Sequence, residues 1–338
     1  MAPTPRPING HPTHPVGLGC MSLSWAYGPR SSDADAIRLL HRAIDLGYNH
    51  FDTARIYGQG HNETVVGEAL KDRRGKVFLA SKMGIFVSGE RRGVDCRPET
   101  IREQLEVSLR LLQTDCIDLY YMHRRDFTVP IEDSVGALAD LIREGKIGAI
   151  GLSEMSADTL RRAAAVHPIA AMQTEYSPWT RQAEIAVLDA CRELGTTFVA
   201  FSPVARGALA NGVRDPAALD ASDIRPAMPR FQGANWAHNQ RLIAQFNALA
   251  AEAGVTPAQL SLGWVLARGD HIVAIPGTAQ IAHLDENIAR ADWTPSPALI
   301  ARVDALINHQ TVAGHRYSAA MQATIDTEDF AHTFDLAG

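Results

Sequence analysis

Short apolar runs alternating with amphipathic helical patterns are the feature that most limits what this 338-residue chain can become. The runs fall near 16–20, 48–52, 77–82, 116–122, 147–152, 170–175, 197–202 and 271–276. Strands that alternate with helices imply βα units and a parallel sheet. Eight such strands are what a closed barrel needs, so the fold expected is α/β, a (β/α)8 TIM barrel. The first helix is predicted to begin after a Ser31 or Ser32 cap, to place Ile37, Leu40, Ala43 and Ile44 on one face, and to stop at Gly47. Pro7-Ile8-Asn9-Gly10-His11 holds an Asn-Gly turn, which predicts an N-terminal β-hairpin within 1–15. Between the seventh and eighth strands lies a long Pro- and Asp-containing loop, Pro203 to Asn235, and then two extra helices near 236–253 and 257–268. Thr256 caps the second, and Pro257 takes its first position. A further helix is expected near 297–308, and the tail 309–338, placed near the active site, has no clear core pattern. The whole of 1–338 reads as a single barrel domain, within the length range of barrels with insertions.

Three of the runs end in the same way: Tyr48-Asn49-His50-Phe51 leads into Asp52, Val77-Phe78-Leu79-Ala80 towards Lys82, and Ile117-Asp118-Leu119-Tyr120-Tyr121 towards His123. In a parallel barrel, catalytic side chains converge at strand C-termini. With Tyr57 these residues make a proton-donating phenol and its tuning groups. A phenol with an ordinary pKa of about 10 is a poor acid at neutral pH, and an ammonium such as Lys82 would stabilise its anion and lower that value. Asp52 would hold Lys82 charged, and His123 would donate to a substrate oxygen. Such a set protonates a carbonyl oxygen while hydride reaches the carbon. No side chain donates hydride, so a nicotinamide or flavin is implied.

Taken singly, each residue has an ordinary reading: Asp52 as a turn or cap, Tyr57 as packing, Lys82 as a solvated strand end, His123 as a satisfied polar residue. The surrounding motifs argue otherwise. Gly17-Leu18-Gly19-Cys20-Met21, Phe51-Asp52-Thr53-Ala54 with Tyr57-Gly58, Glu63 to Leu70, Ser81-Lys82-Met83-Gly84, Asp118 to Arg124, Ile150 to Glu154, Gln173 to Ser177, Phe201-Ser202-Pro203 and Ile275-Pro276-Gly277-Thr278 follow one another in order. In that order and nearly end to end, the chain resembles the aldo-keto reductases, and its Leu-Ser-Glu and Glu-Tyr-Ser-Pro-Trp-Thr-Arg forms resemble the perakine-reductase and auxin-induced-protein branch with its bacterial relatives. The resemblance implies an NADP-dependent oxidoreductase that reduces an aldehyde or ketone to the alcohol, reversibly, with Asp52, Tyr57, Lys82 and His123 as the catalytic residues. It also implies that Ser153, Gln173 and Glu154 bond the nicotinamide amide and that Phe201 stacks on its ring. Ser202, Pro203, Val204 and Arg206 would hold the pyrophosphate, and Gly277, Thr278, Gln280, His283, Glu286 and Asn287 the adenosine end. Complete Gly-x-Gly-x-x-Gly motifs are missing, which disfavours a Rossmann domain.

Relatives that prefer NADPH commonly carry Lys or Arg after the Ile-Pro-Gly-Thr turn or at the place of His283; here stand Ala279, Gln280 and His283. NADP(H) is therefore expected with NAD(H) as the alternative, and Arg230 is a candidate substitute cation. Trp25, Tyr27 and Phe86, with Met122 and Trp179, are candidates for an apolar substrate pocket, and Arg124 and Arg125 for ion pairs or solvent. The substrate would be a small carbonyl or alcohol, its identity set by the loops near 21–30, 86–92 and 203–235 and by the tail. Two other readings are a cofactor-sensing module like the potassium-channel β-subunits and a metal-dependent barrel lyase or isomerase. Cys20, Cys96, Cys116 and Cys191 are scattered without metal-ligand spacing, so no metal is expected and free thiols in a reducing compartment are. A net charge of −6 gives no footprint for nucleic acid, no run approaches the roughly 20 apolar residues of a membrane span, and Met1 to Pro15 is unlike a signal peptide. A cytoplasmic location is expected, and the oligomeric state has no signal in the sequence.

Overall fold

Which side chains enter the barrel follows from the two-residue period of a strand. A computed structural model of the protein describes residues 3–89 and 91–336; the outermost residues of the expected hairpin segment and tail, and one residue of the loop 86–92, lie outside the described residues. Strands β1 (Arg6–Ile8) and β2 (His11–Thr13) form an antiparallel hairpin. There follow β3 (Leu18–Gly19), β4 (His50–Asp52), β5 (Phe78–Met83), a second hairpin of β6 (Ile85–Ser88) and β7 (Arg91–Val94), then β8 (Leu119–Met122), β9 (Ile150–Ser153), β10 (Ala171–Glu175), β11 (Thr197–Phe201) and β12 (Ile272–Ile275). Eight of these, β3, β4, β5 and β8 to β12, are parallel neighbours in that order, and the bridges Val16 to Ala274 and Gly19 to Gly277 join the first to the last. The result is a (β/α)8 barrel, with strand positions within three residues of those the apolar runs predict.

Inward-facing Phe78, Ala80, Leu119, Tyr121, Ala149, Ala171, Val199, Val273 and Ile275 make one core inside the barrel, and Ile8 of the first hairpin joins them at its N-terminal end. Arg6 fastens that hairpin by donating to the carbonyls of Gly269 (2.8 Å) and Leu266 (2.9 Å). A much larger core lies between strands and helices. Two glycines make room for large inward neighbours. A Cβ on Gly151 would come within 2.3 Å of the Tyr121 ring, and one on Gly17 within 2.9 Å of His50.

Helices form where caps and apolar stripes agree. Helix α1 (Asp33–Asp45) starts from Ser32, whose hydroxyl accepts the Asp35 N–H, buries Leu39, Leu40 and Ala43, and stops before Gly47, which takes a φ of 97°. Ile37, expected on the buried face, is only half buried at its edge. Around the barrel follow α2 (His61–Leu70), α3 (Pro98–Leu112), α4 (Ile131–Arg143), α5 (Ala157–Val166) and α6 (Val187–Leu194). The two extra helices are α7 (Gly233–Glu252) and α8 (Pro257–Leu266), the latter with a full capping box of Thr256 and Gln259. After β12 come α9 (Ile281–Ile288), α10 (Pro297–Leu306) and the short α11 (Ala319–Gln322). Among the described residues, no helix is long and apolar enough to cross a membrane.

Two expectations change. Residues 86–92, read as a loop, belong to the β6–β7 hairpin, because apolar Ile85 and Val87 alternate along one strand and pair with Val94 and Arg92 across from them. The tail, read as lacking a core pattern, buries Val312, Ala313, Tyr317 and Ile325. Its apolar residues are spaced for an irregular strap rather than for a helix or strand, so periodicity does not reveal them.

His50 is fully buried in the barrel, and neither ring nitrogen has a hydrogen-bond partner among the described residues. Burial pushes its pKa down to about 4. The unfolded imidazole binds a proton below pH 6.5 and the folded one only near pH 4. Stability present above pH 6.5 is therefore lost as pH falls between those values, by about 3 kcal/mol for this group. Urea unfolding of native protein and His50→Leu at pH 4.5, 5.5 and 7 should show a shallower pH dependence in the variant; equal slopes would contradict the assignment.

Candidate active site

At the barrel's C-terminal mouth the inward positions change from apolar to polar. Asp52 ends β4, Lys82 lies near the end of β5, His123 follows β8, Ser153 ends β9 and Gln173 lies in β10. Tyr57 arrives from the turn after β4. Lys82 is completely buried, and its ammonium donates to Asp52 Oδ1, to the Thr53 carbonyl at 2.9 Å and to the Tyr57 hydroxyl at 3.3 Å. The other Asp52 oxygen accepts from Gln173 Nε2 at 2.7 Å. His123 meets the Tyr57 ring edge-on, with centroids 5.8 Å apart, and its Nδ1 is buried with no hydrogen-bond partner among the described residues. Thus the four residues singled out in the sequence are brought together.

Their electrostatics differ in one respect from the sequence reading. Burial pushes the Tyr57 phenol up, Lys82 opposes it and Asp52 adds to it, and the net direction is upward rather than the lowering expected from Lys82. Burial alone would lower the Lys82 ammonium, but Asp52 and Tyr57 overcome it and hold it above its ordinary value. Burial, with Arg124 and Lys82, pushes His123 well below its ordinary value, so its imidazole is neutral at pH 7. The set is therefore a protonated phenol beside a fixed ammonium and a neutral imidazole.

These groups open onto a cavity of about 580 Å³, within the range of small-molecule sites. Trp25 and Tyr27 line it, as do Ser153, Gln173, Phe201, Ser202, Pro203, Val204 and Arg206. Gly277, Thr278, Gln280, His283, Glu286 and Asn287 line it as well. Backbone at Ser202, Ala205 and Arg206 has φ near +50°, a conformation that costs energy for residues with a Cβ and that collects at ligand clamps. Ser22 Oγ, on the wall, is buried with no hydrogen-bond partner among the described residues. A pocket with a half-buried ring at Phe201, carboxamide-matching Ser153 and Gln173, and an unsatisfied hydroxyl at Ser22 fits a nicotinamide dinucleotide.

Other residues fall elsewhere. Glu154 is fully buried away from the cavity wall, because its carboxylate accepts from Arg316 and from the Glu175 N–H at 2.9 Å. Phe86 packs over Gly93, and Ile85 and Arg92 of the same hairpin face the cavity instead. Met122 and Trp179 are core. Arg230 lies away from the cavity, donating to the carbonyls of Trp179 (2.8 Å) and Gly314 (3.0 Å), and does not substitute at the adenosine end. Arg125 does pair, with Asp326 of the tail at 3.1 Å, whereas Arg124 lines the cavity. Residues the sequence did not single out are Arg225, Met228, Tyr317 and Met321. Tyr317 is held by Arg206, whose Nη2 donates to its hydroxyl at 3.0 Å and to Glu175 at 2.6 Å.

With this geometry in view, the comparisons are consistent. The aldo/keto reductase family model matches residues 15–308. The chain is similar to a glycerol dehydrogenase from Gluconobacter oxydans, at 27% identity over 99% of both chains, with a TM-score of 0.83. It is similar to an aldo-keto reductase from Bacillus halodurans in its holo form, at 26% identity over 91% of this chain and 97% of that one, with a TM-score of 0.76. A third likeness is to an aldo/keto reductase from Klebsiella pneumoniae in complex with NADP and acetate, at 27% identity over 94% and 99%, with a TM-score of 0.71. The chain belongs to the aldo-keto reductase family, and hence to the oxidoreductases.

Arg316 and Glu154 form a buried pair at this mouth. Removing one partner of such a pair strands the other charge, at a cost of roughly 3–5 kcal/mol. Arg316→Met should lose that much stability in denaturant titration, and adding Glu154→Gln should restore part of it; a stable single variant would contradict the reading.

Proposed function

We propose that the protein reduces an aldehyde or ketone to the alcohol, reversibly, with Tyr57 as proton donor and NADP(H) as the cofactor. The observation that carries this is the Tyr57 hydroxyl 3.3 Å from the buried Lys82 ammonium, beside neutral His123 at the cavity floor. When bound, the reduced nicotinamide supplies the hydride. The chain's own residues do the rest. His123 donates a hydrogen bond that orients the carbonyl, and Tyr57 passes its proton to the carbonyl oxygen. The phenolate left behind is stabilised by the ammonium at its side, and Asp52 keeps that ammonium charged and aimed. Ser153 and Gln173 would hold the carboxamide, Phe201 the ring face, Ser202 to Val204 and Arg206 the pyrophosphate, and the segment Gly277 to Asn287 the adenosine end. Among the described residues, no group of three His, Cys, Asp or Glu side chains is placed to hold a metal ion, and nothing observed favours the metal-dependent alternative. Nothing observed favours the cofactor-sensing alternative.

Tyr57→Phe should lose at least about a hundredfold in turnover of a reactive aromatic aldehyde, as expected for loss of general acid catalysis, while NADPH binding by fluorescence persists; retained turnover would sink the assignment. The pH dependence has a direction too. Because the Tyr57 phenol is held above its ordinary value, reduction should stay flat from pH 6.5 to 9, and alcohol oxidation, which needs the phenolate, should rise throughout. NADP(H) is supported by neighbours solved with it. The segment Gly277 to Asn287 that would hold the adenosine end carries Thr278, Gln280 and His283 but no Lys or Arg, so NADPH and NADH should differ little in kcat/KM. His283→Arg should raise the NADPH to NADH ratio by about tenfold, the size of one charge-assisted contact.

A further inference from the structure

We infer that the carbonyl substrate carries a carboxylate, received by Arg124 and Arg92. This deepens the reductase reading and rests on it. Arg124 directly follows His123 and lines the cavity. Its Nη1 donates to the His123 carbonyl at 2.6 Å and reaches Ser153 Oγ at 3.4 Å, which fixes the side chain from one nitrogen. Its Nε and Nη2 have no partner among the described residues. Arg92, on β7, places its guanidinium 5.7 Å from the centroid of the Trp25 ring, and Trp25 in turn lies 6.2 Å from the Tyr57 ring at 29°. Arg124 thus stands next to the imidazole residue in the chain, and Arg92 lies over the ring that stacks on the phenol, both on the cavity wall.

What distinguishes them is the lack of a counterion. The other two cavity guanidinium groups are neutralised, Arg206 by Glu175 and Arg225 by Asp223, each at 2.6 Å. Arg92 and Arg124 form no ion pair among the described residues. Of the carboxylates on the cavity wall, Asp52 is committed to Lys82 and Gln173, and Glu286 belongs to α9 at the adenosine end. Arg124 and Arg92 also both act on His123, which helps keep it neutral. An unbalanced positive end in a partly apolar cavity attracts an anion, and a planar guanidinium fork matches a carboxylate. Anchoring that carboxylate leaves the carbonyl to Tyr57 and His123. The positive end would therefore select oxo-acids over neutral aldehydes of the same size.

The test compares 4-formylbenzoate with its methyl ester. Native protein with NADPH should show kcat/KM for the acid at least about tenfold above the ester, and the preference should shrink at high salt. Arg124→Gln should remove most of it and Arg92→Gln several-fold of it, with Arg92→Lys retaining more than Arg92→Gln. Independently of turnover, calorimetry should find 4-(hydroxymethyl)benzoate bound at least about tenfold tighter than its methyl ester. The inference is overturned if the ester is turned over as well as the acid, or if both variants keep the native ratio. It is also overturned if the variants weaken NADPH binding alone, which would assign these cations to the cofactor's phosphates. Preferential binding of the acid with turnover of neither aldehyde would support the anion site and refute the reductase reading instead.

Discussion

Lys82 places an ammonium where no water reaches it, and much of the mouth is arranged around that charge. A buried cation is tolerated only with full compensation. Asp52 supplies the opposite charge, the Thr53 carbonyl and the Tyr57 hydroxyl accept further hydrogen bonds from the ammonium, and Gln173 fixes the second Asp52 oxygen. Asp52, Thr53 and Tyr57 come from β4 and the turn after it, Lys82 from β5 and Gln173 from β10, so the charge is satisfied only when the strands are in register. Asp52 stands opposite Ala80, and Lys82 opposite Tyr121, in that register. A slip of one residue would turn Lys82 towards the helices and Ser81 into the barrel. The pair that prepares the chemistry thus also reports correct assembly of the sheet.

A second ionic system surrounds the first at the mouth. Glu175 lies between Arg206 and Arg316; burial alone would raise its carboxyl, and the two guanidinium groups overcome this and hold it below its ordinary value. Arg206 comes from the segment after β11, Arg316 from the tail, and Glu154 from the end of β9. Glu154, Glu175 and Arg316 face one another rather than the cavity, and Arg206 pairs with Glu175 while also lining it. They shape the wall, whereas Arg92 and Arg124 leave charge available to it.

The barrel was legible because its signals are local. Apolar runs, the Ser32 and Thr256 caps and Gly47 act within a few residues, and each appears in the structure where its chemistry predicts. The cluster of Asp52, Tyr57, Lys82 and His123 was legible because strand ends converge and because the flanking motifs follow a family order. Less local features were hidden. Glu154 stands in a family motif beside Ser153, but its orientation is decided by Arg316, 162 positions away. Phe86 was taken for the pocket, but alternation along β6 gives that side to Ile85. Tyr317 had no pattern to mark it, since an irregular strap repeats nothing. Arg124 and Arg125 look equivalent in sequence, but distant partners separate them, Thr159 and Asp326 for Arg125 and Ser153 for Arg124.

The tail's contribution to the cavity wall has a consequence for how ligand binding and folding are coupled. Tyr317 and Met321 complete a pocket whose opposite side begins at Gly19, so its lining draws on nearly the full span of the chain. A molecule that enters contacts only the assembled form. Its binding free energy is then added to the stability of the whole fold rather than to one segment, growing with ligand concentration. Occupancy of the cavity would in this way hold the last part of the chain to the first.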